Sequence, residues 1–238
     1  MQGGQGNMWE GKLKAVTFSY DDGVLQDERL IDIFNKYNLK ATFNLNSEQF
    51  GVKSYSVKND KQYDRIRVQA KDVKKLYEGH EVAVHTLTHP LLPDLDETEI
   101  IRQVEQDRIN LSELVGYEVK GMAYPCGGVN NDDRVAAIIK AHTGVKYART
   151  ITSNYSFDLR DNLYRFNPTI HHARFEQMFE LGEQFINMKA DKPQLFYIWG
   201  HSYEFDMDDA WDEFEEFCKM ISGRKDIFYG TNAEVLGI

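Results

Sequence analysis

Two cysteines, Cys126 and Cys218, are all the thiol chemistry in this 238-residue chain, so no disulfide framework holds it together. Five prolines mark no linker. Beyond a Gly/Gln-rich start over the first seven residues there is no low-complexity tract and no internal repeat. One domain over 1–238 is therefore the simpler reading. No window approaches the ~20 apolar residues of a membrane span. The first residues lack a basic head followed by an apolar run, which argues against a signal peptide. Localisation stays open: cytoplasmic as written, or extracytoplasmic if a leader has been removed. Basic charge is short too, with 28 Lys+Arg against 38 Asp+Glu and a net charge of -10. That excludes nucleic acid as the main partner, because phosphate binding needs a basic footprint. The oligomeric state is undetermined. What is present suits a soluble globular fold with a sizeable core: 42% hydrophobic and 28% charged residues.

Strand-like and helical patterns alternate along the chain. Strands are expected over 12–20, 40–46, 80–85, 119–123, 145–149, 163–170, 195–199 and 227–229. Helices are expected over 27–37, 70–78, from a cap at Asp94 or Asp96 to Val115, from a cap at Asn131 or Asp132 to Ala141, over 175–188 and over 208–221. The polar stretch 49–69 reads as an inserted loop or hairpin. Such alternation implies right-handed βαβ units and a parallel sheet. Seven or eight strands in this length point to an α/β barrel over 12–236, incomplete rather than open.

In a barrel of this kind, chemistry gathers on the loops that follow the strands. Asp21, Asp22 and Gly23 follow the first. His85 and His89 follow HEVAV, and Tyr124, Pro125 and Cys126 follow VKGMA. Arg149, the His171-His172 pair and His201 follow later strands. Five of the seven histidines thus lie at strand exits, together with a carboxylate pair, and this concentration marks an enzyme. His85 and His89 stand four apart, a spacing that lets both imidazoles share one ion. Adjacent acids repel each other unless a cation lies near. Two histidines and one carboxylate leave open positions for water and substrate, as a catalytic zinc requires. The second carboxylate can then accept a proton from that water, which the metal acidifies to a pKa of about 7.

TFSYDDG (17–23), HTLTH (85–89), AYPCG (123–127) and IWGH (198–201) occur in the order seen in polysaccharide deacetylases. The chain resembles that family, carbohydrate esterase family 4 or NodB-homology, from residue 17 to 201. The resemblance implies a distorted (β/α)7-8 barrel and one divalent ion, zinc first, with Co2+, Ni2+ or Fe2+ as alternatives. It implies Asp22, His85 and His89 as metal ligands and Asp21 as general base. The Cys126 N–H would serve the oxyanion, and His201 would protonate the leaving amine, giving a bell-shaped pH–rate profile. Tyr124, Pro125, Arg149 and Trp199 are the expected substrate contacts.

The chain also departs from the family pattern. Ser19-Tyr20 precede the two acids, and Ala123 stands where an Arg usually pairs with the base. Arg149 or Arg165 is expected to take over that role. Asp158 or Asp161 is a candidate for orienting His201. Tyr203, Glu204 and Asp206 are candidates for substrate contact, whereas His80 and His142 read as structural or exposed. The expected activity is metal-dependent removal of N-acetyl or O-acetyl groups from a carbohydrate. A hydrolase of small or cyclic amides on the same fold is the first alternative, and a non-catalytic carbohydrate-binding protein the second.

Overall fold

The computed structural model describes residues 8–159 and 162–238. Asp161 lies outside them. Eight parallel strands form one curled sheet around β1 (Lys14–Asp21), which is buried at every position. A strand covered on both faces has no solvent side, which explains its lack of apolar–polar alternation. On one side β1 pairs with β9 (Gln194–Gly200). On the other it pairs first with β10 (Ile227–Tyr229), then with β2 (Ala41–Leu45). Outward from β2 come β5 (Glu81–Val84), β6 (Gly121–Ala123) and β7 (Tyr147–Arg149); outward from β9 comes β8 (Ile170–His171).

The two edges of this sheet meet through irregular chain. Phe166 donates its N–H to the Ala148 carbonyl and accepts from the Thr150 N–H, and the Thr169 N–H reaches the Tyr197 carbonyl. The result is the expected distorted barrel, its ring closed at one place without a regular ladder. The strand expected over 163–170 is corrected here: a 3-10 turn spans Leu163–Arg165 and only Ile170–His171 is strand. Pro168 has no N–H to give a ladder.

Helices cover the outside: α1 (Asp27–Lys36), α2 (Ala70–Leu76), α3 (Glu97–Ile101), α4 (Asp107–Val115), α5 (Asp133–His142), α6 (Phe175–Asn187), α7 (Glu204–Asp208), α8 (Trp211–Ile221) and α9 (Asn232–Leu236). Of the alternative caps, Asp96 and Asp132 are the ones used, accepting from the Glu99 and Val135 N–H groups. A wide π turn, Arg102–Gln106, joins α3 to α4. The helix expected over 208–221 is α8, which begins only at Trp211, because Asp209 turns left-handed at φ 51 and separates it from α7. Helix α9, held by a Thr231/Glu234 capping box, had no counterpart among the expected elements. Beneath the helices Phe18 lies 4.8 Å from Phe34 and 6.2 Å from Phe214, tying β1 to α1 and α8.

Within 49–69 the chain forms an antiparallel hairpin, β3 (Lys53–Lys58) and β4 (Lys61–Ile66). It docks on the loop after β1 through Leu25 N–H to Ile66 O and Val68 N–H to Gly23 O, both 2.9 Å. That contact brings an inserted element to the mouth of the barrel.

Candidate active site

Asp21 ends β1, and the backbone then turns left-handed at Asp22 (φ 86) and Gly23 (φ 61). A side chain at position 23 would meet Leu45 Cδ2 at 2.6 Å, so the tight Asp-Asp-Gly turn needs its glycine. The two carboxylates have different surroundings. Arg149 Nη2 donates to both oxygens of Asp21, 2.5 Å to Oδ2, and Asn44 Nδ2 donates to Oδ1 at 2.8 Å. Burial pushes the Asp21 pKa up, but Arg149, then His85 and His201, outweigh it and hold it below the usual value. Asp22 Oδ2 accepts from Arg65 Nη2 at 2.8 Å, and Arg67 Nη1 lies 2.9 Å from Oδ1. Burial again opposes ionisation there, and Arg67, His201, His85 and His89 overcome it, so Asp22 stays charged far into acid.

His85 follows β5 directly. Its N–H bonds Leu45 O at 2.8 Å and the buried Asp107 Oδ2 at 3.2 Å, at the end of the π turn. HTLTH is a tight turn with Thr86 and His89 both left-handed (φ 69 and 64), and it brings the two rings to 4.9 Å. Burial lowers the pKa of His85 to about 4 and lowers that of His89 as well, so both rings are neutral at pH 7. His85 Nδ1 lies 2.9 Å from the Ala123 carbonyl and so carries the proton, which leaves Nε2 with a bare lone pair.

These residues fit a cation. Asp22 Oδ1 is buried and accepts no hydrogen bond, its close contacts being the Arg67 guanidinium at 2.9 Å, His89 Nε2 at 3.6 Å and His85 Nε2 at 3.8 Å. The three ligating atoms converge within 4.8 Å. One anionic oxygen and two neutral imidazole nitrogens form a donor set for a divalent ion. Cys126 adds a contact that spacing did not suggest: its Sγ sits 3.6 Å from His89 Nδ1, behind the ring. Asn130 Nδ2 staples the Tyr124, Pro125 and Cys126 carbonyls at 3.3, 3.0 and 2.8 Å. Among the described residues the Cys126 N–H has no acceptor, so a donor is left free beside the cavity.

Across a cavity of about 280 Å³ from these ligands stand Trp199, His201 and Tyr203. His201 Nδ1 is 3.3 Å from Glu204 Oε1. Burial alone would lower the His201 pKa, but Glu204, then Asp22 and Asp21, raise it to about 9, so this imidazole is charged at pH 7. Glu204 also lies 3.0 Å from His172 Nε2 and 3.4 Å from His171 Nε2. Burial opposes its ionisation, but His201 first and then His172 hold the Glu204 carboxylate far below the usual range.

Several sequence expectations change here. Arg149, not Arg165, pairs with Asp21; Arg165 bonds Asn131 and Asp133. Arg149 as a substrate contact is withdrawn, because its side chain is fully buried beneath Asp21 with its guanidinium 4.5 Å from the Trp199 ring. Pro125 is buried and absent from the cavity wall, whereas Tyr124, Cys126 and Trp199 line it. Glu204, not Asp158, faces His201; Asp158 pairs with Lys192 at 2.9 Å and Gln194 at 3.0 Å. Asp206 is taken up by Gln26 and Trp211. His80 accepts the Ala41 N–H, and His142 is exposed near Glu97. Sequence reasoning missed Arg65 and Arg67 on Asp22. Their alternation in RIR, which puts both on one strand face, was the available signal.

A family model described as polysaccharide deacetylase matches residues 10–147. The peptidoglycan-N-acetylglucosamine deacetylase of Bacillus cereus is 29% identical over 117 residues, 48% of this chain and 37% of that protein. The peptidoglycan-N-acetylmuramic acid deacetylase PdaC of Bacillus subtilis is 26% identical over 123 residues, 51% of this chain and 23% of that protein. The matches therefore span well under half the length of these relatives. A family 4 acetyl xylan esterase from Clostridium thermocellum, solved in complex with a cobalt ion, aligns with a TM-score of 0.59 at 16% identity. That alignment covers 94% of this chain and 91% of the other, and likeness at such identity speaks for the fold alone.

Proposed function

The chain belongs to the polysaccharide deacetylase family, and from that premise we propose that it is a metal-dependent hydrolase removing N-acetyl, or O-acetyl, groups from a carbohydrate. The observation that carries this reading is the convergence of an Asp22 oxygen and two neutral imidazoles within 4.8 Å, with Asp21 and His201 on the same cavity. Asp22, His85 and His89 would hold the ion; zinc suits these donors best, and Co2+, Ni2+ or Fe2+ are compatible with them. When bound, the ion supplies Lewis acidity toward the acyl carbonyl and a more acidic water.

The chain's own residues do the rest. Asp21, ionised against Arg149, accepts the proton of the attacking water. The free Cys126 N–H donates to the oxygen on which negative charge develops. His201, charged by virtue of Glu204, gives its proton to the leaving nitrogen, so that acetate and a free amine depart. Trp199 and Tyr124 wall the cavity around the acyl group.

These states broaden the expected bell. The acid limb lies below the usual carboxylate range, and the alkaline limb falls as His201 loses its proton near 9. The test is acetate release from N-acetylglucosamine oligomers and from small amides, using metal-stripped protein with and without added Zn2+ or Co2+. Release from the oligomers, restored by metal, is the expected result. Turnover of the small amides alone would move the assignment to that alternative. Sugar binding without turnover in either metal would make the protein a binding module.

A further inference from the structure

Strand β1 sends its side chains alternately to its two faces. Asp21 goes to the cavity, whereas Phe18 and Tyr20 go to the helix layer. There the Tyr20 ring lies 5.9 Å from Phe34 and 6.2 Å from Phe214. A histidine shares that layer. His172, just past β8, is 1% exposed and stacks on Phe205 at 4.3 Å and on Tyr20 at 5.5 Å. A phenylalanine would suit such surroundings, whereas an imidazole brings two ring nitrogens that need partners once buried. Both have them. Nδ1 lies 3.1 Å from the Tyr20 hydroxyl, and Nε2 lies 3.0 Å from Glu204 Oε2. The main chain leaves room for this ring at Gly200, where any side chain would collide with His172 Nδ1.

These contacts admit one arrangement of protons. A carboxylate only accepts, so His172 Nε2 carries the proton and Nδ1 is bare. Burial outweighs Glu204 and keeps the His172 pKa below its ordinary value, so the ring is neutral at pH 7. Burial also keeps the Tyr20 hydroxyl protonated, and its O–H donates to Nδ1. The donors therefore run one way, from Tyr20 to His172 to Glu204, whose other oxygen, Oε1, lies 3.3 Å from His201 Nδ1. His172 is fixed in turn by its main-chain N–H, which bonds Trp199 O at 2.8 Å. His171 Nδ1 accepts the Ala173 N–H at 3.2 Å, so its Nε2 also presents an N–H to Glu204, at 3.4 Å. The atoms of His171, His201 and Glu204 converge closely enough for an ion, but that tautomer of His171 offers a cation no lone pair. The cluster is built to hold a carboxylate.

We propose that His172 is a positioning residue for the acid: held by Tyr20, it fixes the Glu204 carboxylate by one oxygen so that the other stays turned to His201. The proposal rests on the acid role given to His201 above and deepens it. A glutamate side chain has several rotatable bonds and on its own would sample several rotamers. Proton transfer needs the imidazole in one orientation, which a carboxylate held at a single place maintains. The arrangement also gives Tyr20, which stands just before the two acids, a task. Asp21 takes a proton on the inner face of β1, while its neighbour Tyr20 braces the support of the proton donor from the outer face. Both proton-transferring groups are thereby referred to one buried strand.

The test compares His172→Phe, His172→Gln and Tyr20→Phe in the zinc-loaded protein, with acetate release from N-acetylglucosamine oligomers as the assay. Phenylalanine keeps the stacking and removes both nitrogens, whereas glutamine keeps an N–H donor near the place of Nε2. His172→Phe is expected to lower kcat about tenfold or more with KM nearly unchanged, because misplaced groups lose rate rather than binding. Its alkaline limb should move to lower pH, since a Glu204 free to turn away no longer supports a charged His201. His172→Gln should recover most of kcat, and Tyr20→Phe should show a smaller loss in the same sense. Equal losses in the Phe and Gln variants, or a loss carried by KM with the limb unmoved, would overturn the positioning role while leaving the deacetylase intact. Imidazole ¹⁵N NMR needs no turnover. His172 is expected as the Nε2–H tautomer, and the His201 signals should move in His172→Phe. Moved signals with no acetate released by any of the proteins would keep the support of His201 and remove its acid role. Unmoved signals would remove the proposal itself.

Discussion

Two groups of histidine face each other across one cavity, and their protonation states are opposite. His85 and His89 are neutral at pH 7, whereas His201 is charged. Burial acts in the same direction on all three, against charge, so burial does not make the difference. The partners do. Asp21, then Asp22, act on His85, and Asp22 first on His89, but these carboxylates are already offset by Arg149, Arg65 and Arg67. The anion nearest His201 is Glu204, which among the described residues has His171, His172 and His201 as its ion-pair contacts and no arginine or lysine. A side chain of one type becomes a ligand on one wall and an acid on the other according to how its carboxylate is shared.

The contrast can be broken from either side. Asp22→Ala removes the anionic ligand, and kcat/KM should fall on the order of a thousandfold or more, since metal assistance is worth several kcal/mol and 1.4 kcal/mol is about tenfold. Zinc content of the purified variant checks the cause. His201→Gln leaves the ligands in place and removes the acid, so kcat should drop about 10²- to 10⁴-fold with metal retained. Glu204→Gln erases the contrast without touching either role. The His201 pKa then falls from about 9, with only Asp22 and Asp21 left to oppose burial. A cationic acid works below its pKa, so the alkaline limb shifts to lower pH. Activity at pH 8 should fall and recover toward pH 6. A limb that stays near 9 in this variant would detach Glu204 from His201.

The smallest expected effects separate two arginines. Arg149→Met strands a buried carboxylate, so the acid limb should move to higher pH as burial acts on Asp21 against His85 and His201 alone. The fold should lose about 3–5 kcal/mol, read from denaturant melts. Arg165→Gln touches only the Asn131 and Asp133 surface, and activity should stay within about twofold.

How much of this was legible followed from how local each signal is. The parallel barrel showed in the alternation of patterns, and the Asp22, His85 and His89 cluster in side chains that follow strands directly. What stayed open or was missed depended on long-range contact. Arg149 and Arg165 were both expected as partners of Asp21, and nothing in residues 145–149 decides that it is Arg149 that reaches Asp21, 128 positions away. Arg65 and Arg67 sit in a polar stretch whose hairpin gains meaning only by docking at Gly23. Glu204 was nearer to hand, since His201 and Glu204 are three apart where α7 begins, a spacing that brings side chains together. The expected strand at 163–170 failed for a local reason, its Pro168, whereas the helix expected over 208–221 stands as α8 with its start moved to Trp211 by the left-handed turn at Asp209.

The most direct test of the metal-centred account is a calorimetric titration of zinc into metal-stripped protein at pH 7, run beside His89→Ala. One saturating equivalent in the wild type, and none of comparable affinity in the variant, is the expected result. Absence of a saturating site, or the same uptake by both proteins, would contradict the account.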